Sequence, residues 1–268
     1  MKNKYKILVT NDDGYEANGL LALVEALKEI EDVSVMVVAP ANERSACGHS
    51  LTLNRPLRFI SVGDDFYKLD NGTPSDCIYL ALSTMFNGVK PDLIVSGINR
   101  GSNMGEDITY SGTAAGAMEG VLHDVPSIAI SQVMDFSDPQ GDFTLAKQTI
   151  KKIVLAIKNG SFPLPKREFL NINIPPLNLL KDEPKLVSTY AGYRMYANDS
   201  HLERNPRGEE HYWLGLHPLS FKTRDEASGK SDFEAIEDGD ISITPIMLDL
   251  SAYKSIERVS KWITDTLE

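Results

Sequence analysis

A chain of 268 residues is long enough for one large α/β domain or for a domain with an appendage. Its 42% hydrophobic and 24% charged residues are those of an ordinary globular protein, and no stretch approaches the length of a membrane span. A formal net charge of −11 argues against non-specific binding to a nucleic-acid backbone, which needs a basic surface. It does not exclude a small anionic substrate, because one metal ion and a few backbone N–H groups reverse the field locally.

Met1-Lys2-Asn3-Lys4-Tyr5 carries no apolar run, so no secretory leader is expected. The two cysteines, Cys47 and Cys77, form no zinc-like cluster, and a reduced, cytoplasmic protein is the expectation. Lys6-Ile7-Leu8-Val9 reads as a buried strand that runs into Thr10-Asn11-Asp12-Asp13-Gly14. Adjacent carboxylates repel, and at the C-terminal end of a central strand they stand where α/β sheets bind ligands. A hard divalent cation such as Mg²⁺ or Mn²⁺ offsets that repulsion; a helix cap by Asp12 with Asp13 facing solvent is the alternative.

Leu20, Leu23, Val24 and Leu27 then follow helical spacing, and Val33 to Ala39 is a second buried strand stopped by Pro40. Thr52 to Ile60 and Phe66 to Leu69 read as shorter, exposed strands, and Thr73-Pro74-Ser75-Asp76 opens a helix with Ile78 and Leu82 inside. Asp92 to Ser96 and Ser127 to Ser131 are buried strands whose continuous β-branched character is that of a parallel sheet covered on both faces. Between them Gly112, Gly116 and Gly120 recur every fourth residue, lining one helical face that can approach the sheet closely. Phe143, Ala146, Ile150, Ile153, Val154 and Ile157 mark an amphipathic helix, and a Pro-rich passage from Pro163 to Pro184 is interrupted by the strand-like Phe169 to Ile172.

Beyond it, Leu186 to Tyr196 and His211 to Leu216 read as extended segments joined by the polar Asp199 to Glu210, a long hairpin arm outside the parallel sheet. Ile241 to Pro245 is a late strand and Tyr253 to Leu267 a closing helix. The rings of Tyr190, Tyr193, Tyr196, Tyr212 and Trp213, and the stripe Ile256, Val259, Trp262 and Ile263, either fold back on their own domain or meet a partner. The expected fold is α/β and Rossmann-like: a mostly parallel sheet with helices on both faces over residues 1–185, followed by the arm, late strand and helix over 186–268.

Three loops should open at one sheet edge, carrying Asp12 and Asp13, then Ser45, then Asn99. Two carboxylates, a hydroxyl and an amide carbonyl are hard oxygen donors, suited to Mg²⁺, Mn²⁺ or Ca²⁺ rather than to structural zinc. Ser111-Gly112-Thr113 precedes the glycine-faced helix, where free N–H groups and two hydroxyls would cradle a phosphate. If Ser111 caps the helix, the Thr113 hydroxyl is the better phosphate ligand.

Several uncommon runs occur in fixed order: Val9 to Gly14; Ala39-Pro40; Glu43 to Ala46 with Gly48-His49-Ser50; Gly72-Thr73-Pro74 with Asp76-Cys77; Ser96 to Gly101; Asn103-Met104-Gly105; and Tyr110 to Thr113. Weaker similarity continues through Pro206-Arg207-Gly208, Tyr212 to Gly215 and Ile241 to Pro245. Together they resemble the signature of the SurE family, the stationary-phase survival proteins. The resemblance implies a metal-dependent phosphomonoesterase acting on nucleoside monophosphates, a 5′-nucleotidase often with 3′-nucleotidase and sometimes exopolyphosphatase activity. It implies one divalent cation per subunit, Mg²⁺ or Mn²⁺, on Asp12, Asp13, Ser45 and Asn99. Phosphate would be held by Ser111, Gly112 and Thr113 with Asn103 close by. Catalysis by metal-activated water attack would fall on Asp12, Asp13 and Asn99, with His49 as an outer support. It further implies a homodimer with an exchanged C-terminal portion, pairing through the hairpin into a homotetramer. Asn205, where many relatives carry Asp, lies in the arm and bears on assembly rather than chemistry.

Competing phosphate chemistries fit less well. A haloacid-dehalogenase phosphatase needs Asp-x-Asp rather than Asp12-Asp13, and Gly229-Lys230-Ser231 has Arg224 where a phosphate loop needs its first glycine. No Gly-x-Gly-x-x-Gly turn follows the first strand. The non-enzymatic alternative is a metal- and nucleotide-binding stress-response scaffold. No cluster is dedicated to one base's hydrogen-bonding edge, so base selectivity is expected to be modest.

Overall fold

The structure, a computed structural model, describes residues 4–86, 88–134, 141–195, 200–214, 220–224 and 228–267. In chain order its elements begin with β1 (Tyr5–Thr10), α1 (Asn18–Lys28), β2 (Val33–Pro40), β3 (Arg58–Gly63), β4 (Phe66–Asp70), α2 (Pro74–Leu80) and β5 (Leu93–Arg100). Then come α3 (Gly112–Leu122), β6 (Ser127–Gln132), α4 (Thr144–Asn159), β7 (Glu168–Ile174), β8 (Leu186–Tyr190) and β9 (Tyr193–Met195). The last are β10 (Ser200–Arg204), β11 (Glu210–Leu214), β12 (Ser220–Lys222), β13 (Lys230–Ser231), α5 (Asp232–Glu237), β14 (Ile241–Met247) and α6 (Tyr253–Thr266). Among the described residues no helix is long and apolar enough to cross a membrane.

Ten strands form one sheet in the order β13-β8-β14-β7-β6-β5-β1-β2-β4-β3. β1 is parallel to β2 on one side and to β5 on the other, so strand order reverses at β1 and a crevice opens at its C-terminal end. Both faces are covered. Ile7, Val9, Leu93, Val95, Ile128 and Ile130 pack with α1 and α4, whereas Leu8, Ile94 and Ala129 pack on the opposite side with residues of α2 and α3. The uniformly apolar runs are therefore alternating strands buried on both faces, as expected of a parallel sheet between helices. Leu20, Leu23, Val24 and Leu27 are buried on α1, and α2 opens with a capping box between Thr73 and Asp76 and a proline in its first turn.

α3 lies against the sheet because it lacks side chains on one face. A Cβ on Gly112 would fall 2.7 Å from Asp12 Cβ, one on Gly116 2.7 Å from Thr10 Cγ2 and 2.8 Å from Ser96 Oγ, and one on Gly120 would strike Ser127 Oγ.

Three readings of the sequence need correction. The stretch 52–57 is not strand: Thr52 gives its N–H (2.8 Å) and hydroxyl (2.7 Å) to the Asp76 carboxylate instead of to a neighbouring strand, and Leu53 is 90% exposed. The strand ending at Ser96 continues to Arg100, through a register shift against β6 between Ser96 and Asn99, so Asn99 sits in the last turn of pleat rather than in a loop. The arm is also built differently. β8 joins the main sheet, parallel to β14, and β9 pairs with β12. The hairpin partner of β11 is β10, drawn from the polar stretch read as a connection. Its charges pair across the ribbon, Arg204 with Glu210 at 2.5 Å, and both strands are exposed throughout, so no apolar alternation marks them. Tyr196 and residues 215–216 lie outside the described residues.

Gly116→Ala tests the glycine face. Helix propensity alone favours alanine by about 1 kcal/mol, whereas overpacking against Thr10 and Ser96 costs about 1–3 kcal/mol. A net fall in thermal midpoint of a few degrees is expected from scanning calorimetry. A rise would mean that α3 can shift away from the sheet.

Candidate active site

β1 delivers Thr10 to the sheet edge, and the chain turns there. Asn11 Nδ2 donates to the Gly14 carbonyl at 2.9 Å, and Gly14 takes φ 101°, open to glycine and costly for other residues. α1 begins only at Asn18, with Ala17 before it and no side-chain cap, so Asp12 is not a helix cap. Asp12 is instead buried at 4% exposure, and the Thr113 hydroxyl donates to its Oδ1. Asp13 is half-buried, and its Oδ2 accepts the Arg100 backbone N–H at 3.0 Å.

Burial dominates the electrostatics of this pair. It pushes the Asp12 carboxyl up to about 6; the Thr113 hydroxyl pulls against it and the charge of Asp13 adds to the rise. Asp13 is raised as well, first by burial, with the Arg100 N–H opposing and Glu43 reinforcing.

The other predicted residues reach this corner by backbone tethers. The Arg44 N–H donates to the Asp12 carbonyl at 2.7 Å, fixing the loop that carries Ser45, whose own hydroxyl donates to Glu43 Oε1 at 2.7 Å. Ser45 is thus in the neighbourhood but bonded to Glu43 rather than to either aspartate. The same loop docks on α3 through the Gly48 N–H on the Tyr110 carbonyl (2.9 Å) and His49 Nε2 on Glu119 Oε2 (2.8 Å). Glu119 is buried and takes His123 Nε2 on its other oxygen at 3.1 Å. Asn99 Nδ2 donates to the Gly101 carbonyl at 2.9 Å, which fixes the amide with Oδ1 left as acceptor.

Ser111 caps α3 by accepting the Ala114 N–H at 3.0 Å. Because Thr113 gives its hydroxyl and its backbone N–H to the Asp12 carboxylate and the Ala114 N–H serves the Ser111 cap, both side-chain oxygens of the cradle serve the fold, and what the start of α3 offers an anion is the Gly112 N–H. Asn103 is buried in a polar knot. Its Nδ2 donates to Ser131 Oγ (2.8 Å) and its N–H to Asn173 Oδ1 (2.9 Å), and its carbonyl accepts from Asn171 Nδ2 (2.8 Å) and Asn173 Nδ2 (3.0 Å). Asn171 and Asn173 belong to none of the sequence motifs, although two asparagines two apart in an apolar strand share a face and signal a buried polar purpose.

Among the described residues no three His, Cys, Asp or Glu side chains gather into a metal-holding group. The donors here are two carboxylates, a hydroxyl and an amide oxygen, and both carboxyls are held above their ordinary range. That chemistry fits a hard divalent cation, whose charge would offset the desolvation of both.

The raised Asp12 carboxyl also predicts a stability effect with a definite sign. A group titrating near 6 when folded and near 3.8 when unfolded gives the folded protein the extra proton between those values. Its contribution to stability therefore falls as pH rises through that window. In chelator-treated protein, Asp12→Asn keeps an acceptor for Thr113 and removes the buried charge. It is expected to raise the unfolding free energy at pH 7 by on the order of 2 kcal/mol and to change it little at pH 4. Urea titrations at the two pH values measure this, and a loss of stability at pH 7 would show that the fold compensates the charge.

Residues 7–198 match the family described as Survival protein SurE. The chain is 75% identical over 262 residues to a protein of Sulfurimonas denitrificans named 5′-nucleotidase SurE, covering 97% of this chain and 99% of that one. A protein of the same name from Helicobacter hepaticus is 57% identical over 263 residues, covering 96% and 98%. The crystal structure of the SurE protein from Aquifex aeolicus superposes with a TM-score of 0.77 at 36% identity, covering 96% of this chain and 98% of that one. Motifs, sheet order and relatives converge, and the chain belongs to the SurE family.

Proposed function

We propose that this chain is a divalent-metal-dependent phosphomonoesterase that hydrolyses nucleoside monophosphates, chiefly as a 5′-nucleotidase, with 3′-nucleotidase and exopolyphosphatase activity alongside. The observation that carries this reading is the contact between the carboxylate pair and the N-terminus of α3: Gly112 lies against Asp12 and Thr113 is hydrogen-bonded to it. A locus for a cation and a locus for an anion thus share one corner. The relatives named 5′-nucleotidase SurE support the substrate class.

In this reading Asp12, Asp13, Ser45 and Asn99 would hold one Mg²⁺ or Mn²⁺. When bound, the cation supplies charge stabilisation at the phosphoryl group and acidifies the attacking water. Thr113 keeps Asp12 in a single orientation by engaging Oδ1. In this reading the Gly112 N–H at the start of α3 and the second amide hydrogen of Asn103 would hold the phosphoryl oxygens and align the ester for in-line attack. On the same reading either Asp12 or Asp13 would take the water's proton.

Phosphate release from purine and pyrimidine monophosphates, measured across Mg²⁺, Mn²⁺, Co²⁺ and Zn²⁺, tests the proposal. Activity is expected with at least one metal and on both base classes. Asp12→Asn is expected to lower kcat/KM by more than the roughly 10–100-fold that outer-sphere substitutions cost. Binding without phosphate release under every metal would replace the enzyme with a nucleotide-binding scaffold, and near wild-type turnover by the folded variant would sink the ligand assignment.

We infer further that the chain works as a homodimer and, through the β10–β11 ribbon, as a homotetramer. α6 has no buried residue, and Ile256, Val259, Trp262 and Ile263 are 58%, 50%, 55% and 39% exposed. On the ribbon Tyr212, Trp213 and Leu214 are 65%, 62% and 86% exposed. Apolar surfaces of this size call for a partner. Light scattering at micromolar concentration is expected to give a multiple of 29.6 kDa; a monodisperse monomer would overturn the inference.

A further inference from the structure

The segment that carries Asn99 and Asn103 is pinned at alternate residues. The Gly101 N–H donates to the Gln132 carbonyl at 2.9 Å and the Asn103 N–H to Asn173 Oδ1 at 2.9 Å, both partners lying on neighbouring strands. The third pin comes from far along the chain: the Gly105 N–H donates to Asp232 Oδ2 at 2.7 Å, across 127 residues. Asp232 is fully buried, and its Oδ1 accepts the Gly192 N–H at 2.9 Å and the Phe233 N–H at 3.0 Å.

One carboxylate therefore grips two remote stretches, the phosphate-site loop at Gly105 and the root of the arm at Gly192, between β8 and β9. Phe233 closes the grip from the side, since a Cβ on either glycine would fall 2.7 Å from its ring. Asp232 is not needed to start α5. Ser231 already caps that helix, accepting the Glu234 N–H at 3.2 Å while the Glu234 carboxylate accepts the Ser231 N–H at 2.7 Å. A carboxylate is costly to bury, and burial raises this one against the pull of the backbone N–H groups around it. Its use here is to satisfy backbone donors from separate segments at once, a task that needs two acceptor oxygens.

We propose that Asp232 is a positioning residue for phosphate binding: by holding the Gly105 N–H it sets the placement of Asn103, and through its second oxygen it ties that loop to the root of the arm. The proposal rests on the function proposed above. It does not require Asp232 to touch substrate.

Asp232→Asn separates the two grips. If the remaining oxygen keeps the Gly192 and Phe233 donors, the new amide N–H₂ faces the Gly105 N–H, donor against donor, and only that pin is lost. In Mn²⁺-loaded protein the variant is expected to keep the wild-type oligomeric state and to exchange the Gly105 amide hydrogen faster. It should bind inorganic phosphate about tenfold more weakly, with KM for a nucleoside monophosphate rising more than kcat falls. Gly105→Ala attacks the same bond from its other end, because φ is +55° there and a Cβ would strike the Gly192 carbonyl and Phe233; it should reproduce the loss of phosphate affinity. Either variant, folded and with a faster-exchanging residue-105 amide, binding phosphate as wild type does would overturn the proposal. If neither folds, hydrogen exchange in the wild type decides: added phosphate should slow Gly105 and Gly192 together, and slowing confined to one of them would overturn it. Absence of phosphate release and binding by the wild-type protein would instead remove the functional reading itself.

Discussion

Holding two adjacent carboxylates partly out of water at the end of β1 is the constraint around which the active half of the chain is arranged. Desolvation opposes the charge on Asp12, and the Thr113 hydroxyl that offsets part of that cost comes from a different element. For Thr113 to reach it, α3 must sit closer to the sheet than ordinary side chains allow, hence no Cβ at residues 112, 116 and 120. Each of those glycines disfavours a helix by about 1 kcal/mol relative to alanine. α3 is therefore a helix that its own sequence does not favour. It is held by packing, with nine of its residues buried. The site and the helix stabilise each other, and the local cost is consistent with a place kept for chemistry rather than for stability.

Around Asn103, support comes from polar groups rather than from apolar packing. Asn103, Asn171, Asn173 and Ser131 are all buried and bonded to one another, although Asn171 Oδ1 has no protein partner. Such a network is tolerable when its members are nearly all satisfied, and it then admits few alternative arrangements. An apolar layer of equal volume would leave the Asn103 loop free to slide. Directional bonds define where its amide sits, which is what a site needs from its supports.

Much of this was legible in the sequence, for reasons that differ by element. The core strands show because both faces are buried, and Leu20 to Leu27 because one helical face is. The capping box at Thr73 is a local code complete within four residues. The four-residue spacing of Gly112, Gly116 and Gly120 signalled close approach, and only the structure shows what is approached. What was hidden depends on distant partners. Thr52 leaves extended pairing for Asp76, β10 looks like a linker because its ribbon is paired through charges in water, and Asp232 acts on residues 105 and 192, which no local pattern connects. The strand at Leu186 reads as part of the arm for the same reason: its neighbour in the sheet, β14, lies much later in the chain.

The order of these strands along the chain matters during synthesis. β14 lies between β7 and β8, antiparallel to one and parallel to the other, and the remaining neighbour of β8 is β13, also later in the chain. At about 5–20 residues per second, several seconds separate the appearance of β8 from that of β14. Through that interval the nascent sheet ends at an open β7, whose unpaired backbone groups invite pairing with another chain. β8, Leu186 to Tyr190, meanwhile waits without a neighbour beside its own half-made domain. Closing the sheet in this architecture waits for β14, and until then β7 presents an edge that the finished sheet covers.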